Sequence, residues 1–328
     1  MSKSISLRPK VAIVTGGFSG EDVIARQSAQ QVMEHIDNEQ FQCILVDITR
    51  SAWVAEFAGQ QSPIDRNDFS FLHAGEKVTF DSAFIVIHGT PGEDGKLQGY
   101  FDLIGLPYFS SGVLTSAVTF NKGLCNTLLR QYGVLSANAV VLKKGDVINT
   151  EYILSKVSLP CFVKPNNGGS SLGISKVSEN TELEPAIRKA MQVDDEIIIE
   201  DFVAGTEITC GVARIKGKVK SIAVTEIVTG NDFFDYEAKY HDHATQEITP
   251  ARIPDHLYEE CMYLSEFIYD KLDCQGMIRI DYILQEDQLY LIEVNTIPGL
   301  SAASLIPKQA EYAQISLKEL FTGLVTKG

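Results

Sequence analysis

The sequence predicts a mixed α/β and α+β fold of two or three domains, and three observations carry that expectation. At 328 residues, 45% of them hydrophobic, the chain can bury several cores. Residues 11–15 form a short apolar run that leads through Gly16-Gly17-Phe18-Ser19-Gly20-Glu21-Asp22 into an amphipathic helix carrying Val23, Ile24, Val32, Met33 and Ile36. That order of strand, glycine-rich turn and helix is a Rossmann-like unit. Near the other end, residues 277–284 and 289–294 are rich in β-branched and aromatic side chains around a polar run at 285–288, which reads as a hairpin.

Charge and cysteine content narrow the function classes. A net charge of −15 and a pI near 4.8 argue against nucleic acid, yet leave room for a phosphate ligand if Lys and Arg gather locally. The first ten residues lack a hydrophobic run, and no segment reaches the roughly 18 apolar residues that span a bilayer. A cytoplasmic protein without a membrane partner is expected. Six widely spaced cysteines, without a C-x-x-C pair, read as buried free thiols.

The elements follow in order. Ser19 with Asp22 three residues later is a capping-box pattern at the first helix. The glycines are not spaced G-x-G-x-x-G, so they do not specify a dinucleotide site. Strands are expected over 43–48 and 82–88, and the stretch around the lone Trp53 has no assignment. His88 runs into Gly89-Thr90-Pro91-Gly92-Glu93-Asp94-Gly95, a loop at the strand end where open α/β sheets bind ligands. Helices are expected over 96–104 and 116–132, the second containing Lys122 and stopping at Gly133.

Residues 159–177 read as strand, Gly- and Ser-rich turn, strand. No G-K-[ST] follows the glycines, so this is not a Walker A loop. Its N–H and OH groups suit a lid over phosphates, and Lys164 entering the turn favours that over a plain hairpin. A helix over 183–191 and a strand over 196–203 come next, then two strands within 209–227 around a solvated Lys216-Gly217-Lys218 tip. Residues 231–248 lack periodicity, and loops of that length are usually functional or disordered. Phe233, Phe234, Tyr236 and Tyr240 argue against disorder. His241 and His243 have no third ligand nearby for a metal. Helices over 254–274 and 307–325 complete the chain.

The hairpin carries the chemistry. Alternate strand residues share a face, so Arg279 lies with Asp281, and Glu293 with Asn295. Pairing Asp281 with Glu293 across a loop of 285–289 brings two carboxylates and an amide together, with Ile278, Ile280, Tyr282, Tyr290, Ile292 and Val294 on the opposite, core side. Such a polar face suits Mg²⁺, which takes oxygen ligands and bridges carboxylates to phosphates; a solvated outer face is the plainer alternative. The loop beyond, Thr-Ile-Pro-Gly-Leu-Ser-Ala-Ala-Ser-Leu-Ile-Pro, exposes backbone N–H groups past a strand end.

R-x-D at 279–281, E-x-N-T-x-P-G at 293–299 and S-L-x-P at 304–307 together resemble the C-terminal signature of the D-alanine:D-alanine ligases, members of the ATP-grasp superfamily. G-G-x-S-x-E at 16–21, H-G-x-x-G-E-D-G at 88–95, S-A-x-x-x-x-K at 116–122, K-P-x-x-x-G-S-S-x-G at 164–173 and Y-E-A-K-Y at 236–240 are similar to the family's other motifs, in family order. The resemblance implies a three-domain ATP-grasp fold, divided as 1–117, 118–206 and 207–328, and a homodimer. It implies that ATP and D-alanine are substrates, with two Mg²⁺ ions, or Mn²⁺, on Asp281, Glu293 and Asn295.

On the same resemblance Glu21 holds the ammonium of the first D-alanine with His88 nearby. Lys122, Lys164, Lys239 and Ser171 serve the phosphates. Backbone groups of Phe202 and Val203 hold adenine, Glu200 faces its amino group and Glu207 the ribose. Ser170 meets Tyr240 when the site closes; Arg279 and the Gly299 N–H stabilise an oxyanion; Ser304 and Leu305 take the second carboxylate. Ala25 stands where the family has Ser. A related carboxylate-amine ligase, a D-lactate or D-serine acceptor, and a nucleotide sensor without turnover are the competing readings.

Overall fold

The computed structural model describes residues 8–168, 172–215, 217–229 and 245–326. β1 (Lys10–Gly16) is buried along all but its first residue. α1 (Asp22–His35) covers it with Ala25, Ser28, Ala29 and Val32, and β2 (Gln42–Ile48) pairs with it in parallel. The expected capping box does not form. Glu21 is the N-cap residue, and Ser19 Oγ donates instead to the His88 carbonyl at 3.0 Å.

The stretch around Trp53 is four antiparallel strands, β3 (Trp53–Phe57), β4 (Gln60–Asp65), β5 (Ser70–His73) and β6 (Glu76–Val78). Two of their turns are Ala-Gly pairs with positive φ at both residues, Ala58 (51°) with Gly59 (74°) and Ala74 (52°) with Gly75 (83°). That conformation is the type I′ hairpin turn, for which Ala-Gly is a fainter sequence signal than Asn-Gly. β7 (Ser82–Ile85) returns parallel to β1; α2 (Lys96–Ile104) and β8 (Tyr108–Phe109) follow. The resulting sheet has the order β6-β5-β4-β3-β2-β1-β7-β8.

The single helix expected over 116–132 is two, α3 (Val113–Phe120) and α4 (Lys122–Arg130). Asn121 between them is extended, and its side chain caps α4 by accepting from Leu124 N at 3.0 Å. β9 (Ala139–Lys143), α5 (Thr150–Leu154), β10 (Cys161–Pro165), β11 (Ser175–Val177), α6 (Asn180–Ala190) and β12 (Glu196–Asp201) form a four-stranded sheet in the order β11-β10-β12-β9.

β13 (Thr206–Ile215), β14 (Lys218–Val228), β15 (Gln246–Ile248), α7 (Asp255–Lys271), β16 (Met277–Gln285) and β17 (Gln288–Asn295) contribute a five-stranded sheet, β15-β14-β13-β16-β17, with α7 packed on it. The helix expected over 307–325 is again two, α8 (Leu305–Tyr312) and α9 (Leu317–Val325), separated by a turn in which Gln314 has φ 57° and capped afresh by Ser316. Pro307 sits in the first turn of α8, where N–H groups have no partner to lose.

Cores join the sheets. Cys125, Leu129 and Val134 pack with α7 against the five-stranded sheet, while Ile306, Ala310, Leu320 and Phe321 pack with Val11, Ala29 and Val32 of the first unit. The amino end of α1 and the loop after β17 are thereby held on one frame. Cys125, Cys161, Cys210, Cys261 and Cys274 are buried and all six thiols are free. Among the described residues no helix is long and apolar enough to cross a membrane.

Candidate active site

The hairpin of β16 and β17 sets the site. Asp281 pairs with Glu293 and Arg279 with Asn295, as expected, but the turn is the two residues Glu286-Asp287 and a bulge follows Asp281. The partner of Tyr282 is Leu291, so Ile292 is an inserted residue. Before it Leu289 and Leu291 point to the core; after it Val294 does. Tyr290 and Ile292, expected on the core side, therefore line the cleft with Glu293 and Asn295. The inserted residue shifts the strand's alternation by one position.

Asp281 accepts from four donor atoms. Arg279 grips it with Nε and Nη2 at 2.8 and 2.7 Å, Asn295 Nδ2 donates at 3.0 Å, and Thr209 Oγ1 at 2.6 Å. Burial opposes the Arg279 charge, but the Asp281 carboxylate more than offsets it and holds the guanidinium protonated. Thr209 had no sequence signal, because its role comes from sitting opposite Asp281 on β13.

The first unit brings its strand ends to the same cleft. Gly16 and Gly17 take φ of 90° and 112°, and a Cβ on Gly16 would stand 2.4 Å from Asp47 Oδ1, so the turn that places Glu21 requires glycine. Buried His88 has Nδ1 2.8 Å from the Ile297 carbonyl, which fixes the proton on Nδ1, and Nε2 3.5 Å from Ser28 Oγ. Burial depresses its pKa, so the imidazole is neutral. Ser28 also accepts from Leu300 N at 3.0 Å, supplying a hydroxyl one turn beyond Ala25. Glu93 accepts from Gly89 N at 2.9 Å. Burial, reinforced by Glu21, raises its pKa to about 7.

The lysines meet from the other side. Lys122 is the first residue of α4, not a mid-helix residue. Its N–H donates to Asn166 O, its Nζ lies 2.5 Å from Gly168 O and 3.3 Å from Glu293 Oε2. Lys164 pairs with Glu200 at 2.5 Å; burial alone would lower its pKa, but Glu200 reverses the shift. The Phe202 N–H is taken by the Pro160 carbonyl, leaving the Phe202 carbonyl and Val203 for a ligand. Glu207 lines the same wall. Gly299 approaches Ser304 so closely that a Cβ would lie 2.7 Å from Ser304 Oγ, which meets Ser301 Oγ at 2.8 Å. Ser304 is the N-cap residue of α8, and Leu305 its first residue.

These groups, from Glu21 and His88 to Lys164, Glu200, Asp281 and Leu305, line one cleft of about 710 Å³. Ser170, Ser171, Lys239 and Tyr240 lie outside the described residues. Among the described residues no group of three or more His, Cys, Asp or Glu could hold a metal ion; two carboxylates and an amide remain as the oxygen donor set.

The family model described as D-ala D-ala ligase C-terminus matches residues 128–326, and that described as D-ala D-ala ligase N-terminus matches 10–111. The chain is 47% identical over 321 residues to the D-alanine--D-alanine ligase of Phocaeicola vulgatus, covering 97% of this chain and 99% of that protein. It is 48% identical over 316 residues to the Flavobacterium johnsoniae enzyme of the same name, covering 96% and 98%. Among solved structures, the VanG D-Ala:D-Ser ligase from Enterococcus faecalis superposes with a TM-score of 0.86 at 31% identity, covering 97% and 99%. The D-alanine--D-alanine ligase from Bacillus anthracis complexed with ATP does so with 0.77 at 25%, covering 97% and 96%.

Proposed function

We infer how this cleft works from one premise, that the chain belongs to the D-alanine–D-alanine ligase family. It is an ATP-dependent ligase that joins two D-alanines into D-alanyl-D-alanine for the cell wall. The observation that carries the residue roles is the single cleft in which the lysine wall, the Asp281–Glu293 pair and the 297–305 loop face one another.

Forming an amide from a free carboxylate is uphill, so the carboxylate of the first D-alanine takes the γ-phosphoryl group, giving an acyl phosphate and ADP. The second D-alanine, having lost a proton from its ammonium, attacks the acyl carbon, and phosphate leaves. Lys122 and Lys164 offset charge spreading over the phosphoryl oxygens, with Lys239 and Ser171 assigned to the same task. Glu200, Phe202, Val203 and Glu207 form the adenosine end. Glu21 binds the first ammonium, with neutral His88 donating nothing from Nε2 but fixing the Ile297 loop. Arg279, anchored by Asp281, and the Gly299 N–H stabilise the tetrahedral oxyanion, and Ser304 and Leu305 receive the second carboxylate. Ser170 and Tyr240 close the site.

Asp281, Glu293 and Asn295 fit Mg²⁺: all their donors are oxygens, and so few protein ligands suit an ion that completes its shell with phosphate and water. When bound, it draws negative charge from the phosphates. Lys122, 3.3 Å from Glu293, holds that carboxylate in place without it.

A homodimer, a cytoplasmic location and the domain division 1–117, 118–206 and 207–328, one sheet to each, complete the reading. The test is phosphate release from ATP and Mg²⁺ with D-alanine alone, then with D-serine or D-lactate added, and product masses. D-alanyl-D-alanine from D-alanine alone is expected; a mixed product would move the chain toward the D-serine or D-lactate reading, and no release with any D-amino acid would overturn the activity.

A further inference from the structure

Gln309 belongs to none of the motifs, yet it is wholly buried and hydrogen-bonded through both its amide oxygen and its amide nitrogen. It lies in α8, one turn beyond Ser304 and Leu305. Its Oε1 accepts from Gly211 N at 3.0 Å; its Nε2 donates to Thr209 O at 3.1 Å and to Thr225 Oγ1 at 3.0 Å. Against β14 the register shifts at Gly211, where Ile222 and Ala223 of β14 stand opposite this one residue, so Gly211 has no ladder partner there, and the amide fills that gap. A Cβ on Gly211 would stand 2.4 Å from Gln309 Oε1 and 2.6 Å from Ile306 Cδ1. The strand is glycine where α8 comes against it.

On its other edge β13 is paired without interruption to β16, with Thr209 opposite Asp281 and Gly211 opposite Arg279. Thr209 accepts from Gln309 through its carbonyl and donates to Asp281 through its hydroxyl. One hydrogen-bonded chain thus runs from α8 to the Asp281 carboxylate and on to Arg279.

We propose that Gln309 is a positioning residue of the ligase, setting the amino end of α8, and with it the subsite for the acceptor carboxylate, relative to Arg279 and Asp281. This rests on the ligase reading above. An apolar side chain of similar length leaves Gly211 N and Thr209 O buried and unpaired, so α8 must move away from the strand. A displacement near 1 Å in an acceptor subsite costs catalysis up to about 10²-fold.

The test uses the full-length enzyme and the variants Gln309→Met and Gln309→Asn, comparing KM for the acceptor D-alanine, KM for the donor, and ADP affinity by calorimetry. Gln309→Met is expected to raise the acceptor KM by about tenfold or more while ADP affinity stays within about twofold. Gln309→Asn, which keeps the amide on a shorter stem, falls between Met and wild type, and it serves alone if the Met variant does not fold. A folded variant with unchanged acceptor KM, or with donor, acceptor and ADP weakened alike, overturns the proposal. A wild-type enzyme that makes no dipeptide overturns the ligase reading and this proposal together.

Discussion

Asp281 accepts from Arg279, Asn295 and Thr209 at once, so its oxygens are pre-set and its neighbours take their places from it. Arg279→Ala is expected to lower single-turnover dipeptide formation by about 10²-fold or more while ADP binding is kept; unchanged turnover would remove Arg279 from the oxyanion. Glu93 gives a pH signature. Its folded pKa of about 7 stands above the ordinary 4.5, so between those values the native state holds a proton that the unfolded chain has released. Stability is then unaffected below about pH 4.5, falls as pH rises towards 7, and stays reduced above. Glu93→Gln, which still accepts a hydrogen bond, is expected to exceed wild type by about 1–3 kcal/mol at pH 8 and to converge with it at pH 4, as read from urea midpoints.

At the scale of elements, the Ile292 bulge decides which side chains reach the cleft. Removing Ile292 leaves Leu291 and Val294 facing the core and Glu293 opposite Asp281, so the deletion is expected to fold, to keep a melting temperature close to wild type, and to bind ATP more weakly through loss of an apolar wall residue. Equal affinity for ATP would show that Ile292 is only a spacer. The register of Asp281 with Glu293 was legible because residue types alternate cleanly around it. The bulge was not, because an inserted Ile in a strand of Leu, Ile and Val has no distinguishing chemistry. The same physics hid the break at Asn121, a residue whose preference for capping shows only once its neighbours are seen to be helical, and hid Thr209, Ser28 and Gln309, whose partners are distant in sequence. The motif residues around Gly16, His88, Lys164 and Glu293 were legible because glycines and charges in apolar surroundings stand out.

Across the whole molecule, the cleft lies where α1 and the loops at the end of the eight-stranded sheet meet the four- and five-stranded sheets, and the lysines on it are already paired, Lys164 with Glu200 and Lys122 with Glu293. A nucleotide must exchange these partners for phosphate oxygens, and in doing so it ties the four-stranded sheet to the five-stranded one. ADP at 100 times its Kd is expected to stabilise the folded chain by about 2.7 kcal/mol, seen as a rise of several degrees in melting temperature that Lys164→Ala diminishes. The eight-stranded sheet has a different outlook, since it ends in β6, only three residues long with Glu76 and Lys77 exposed, and in β8, two residues long. Neither border offers a stranger's backbone a long uncharged template. Beside other copies of itself on emerging from the ribosome, this chain offers little open edge of its widest sheet on which a fibril could grow.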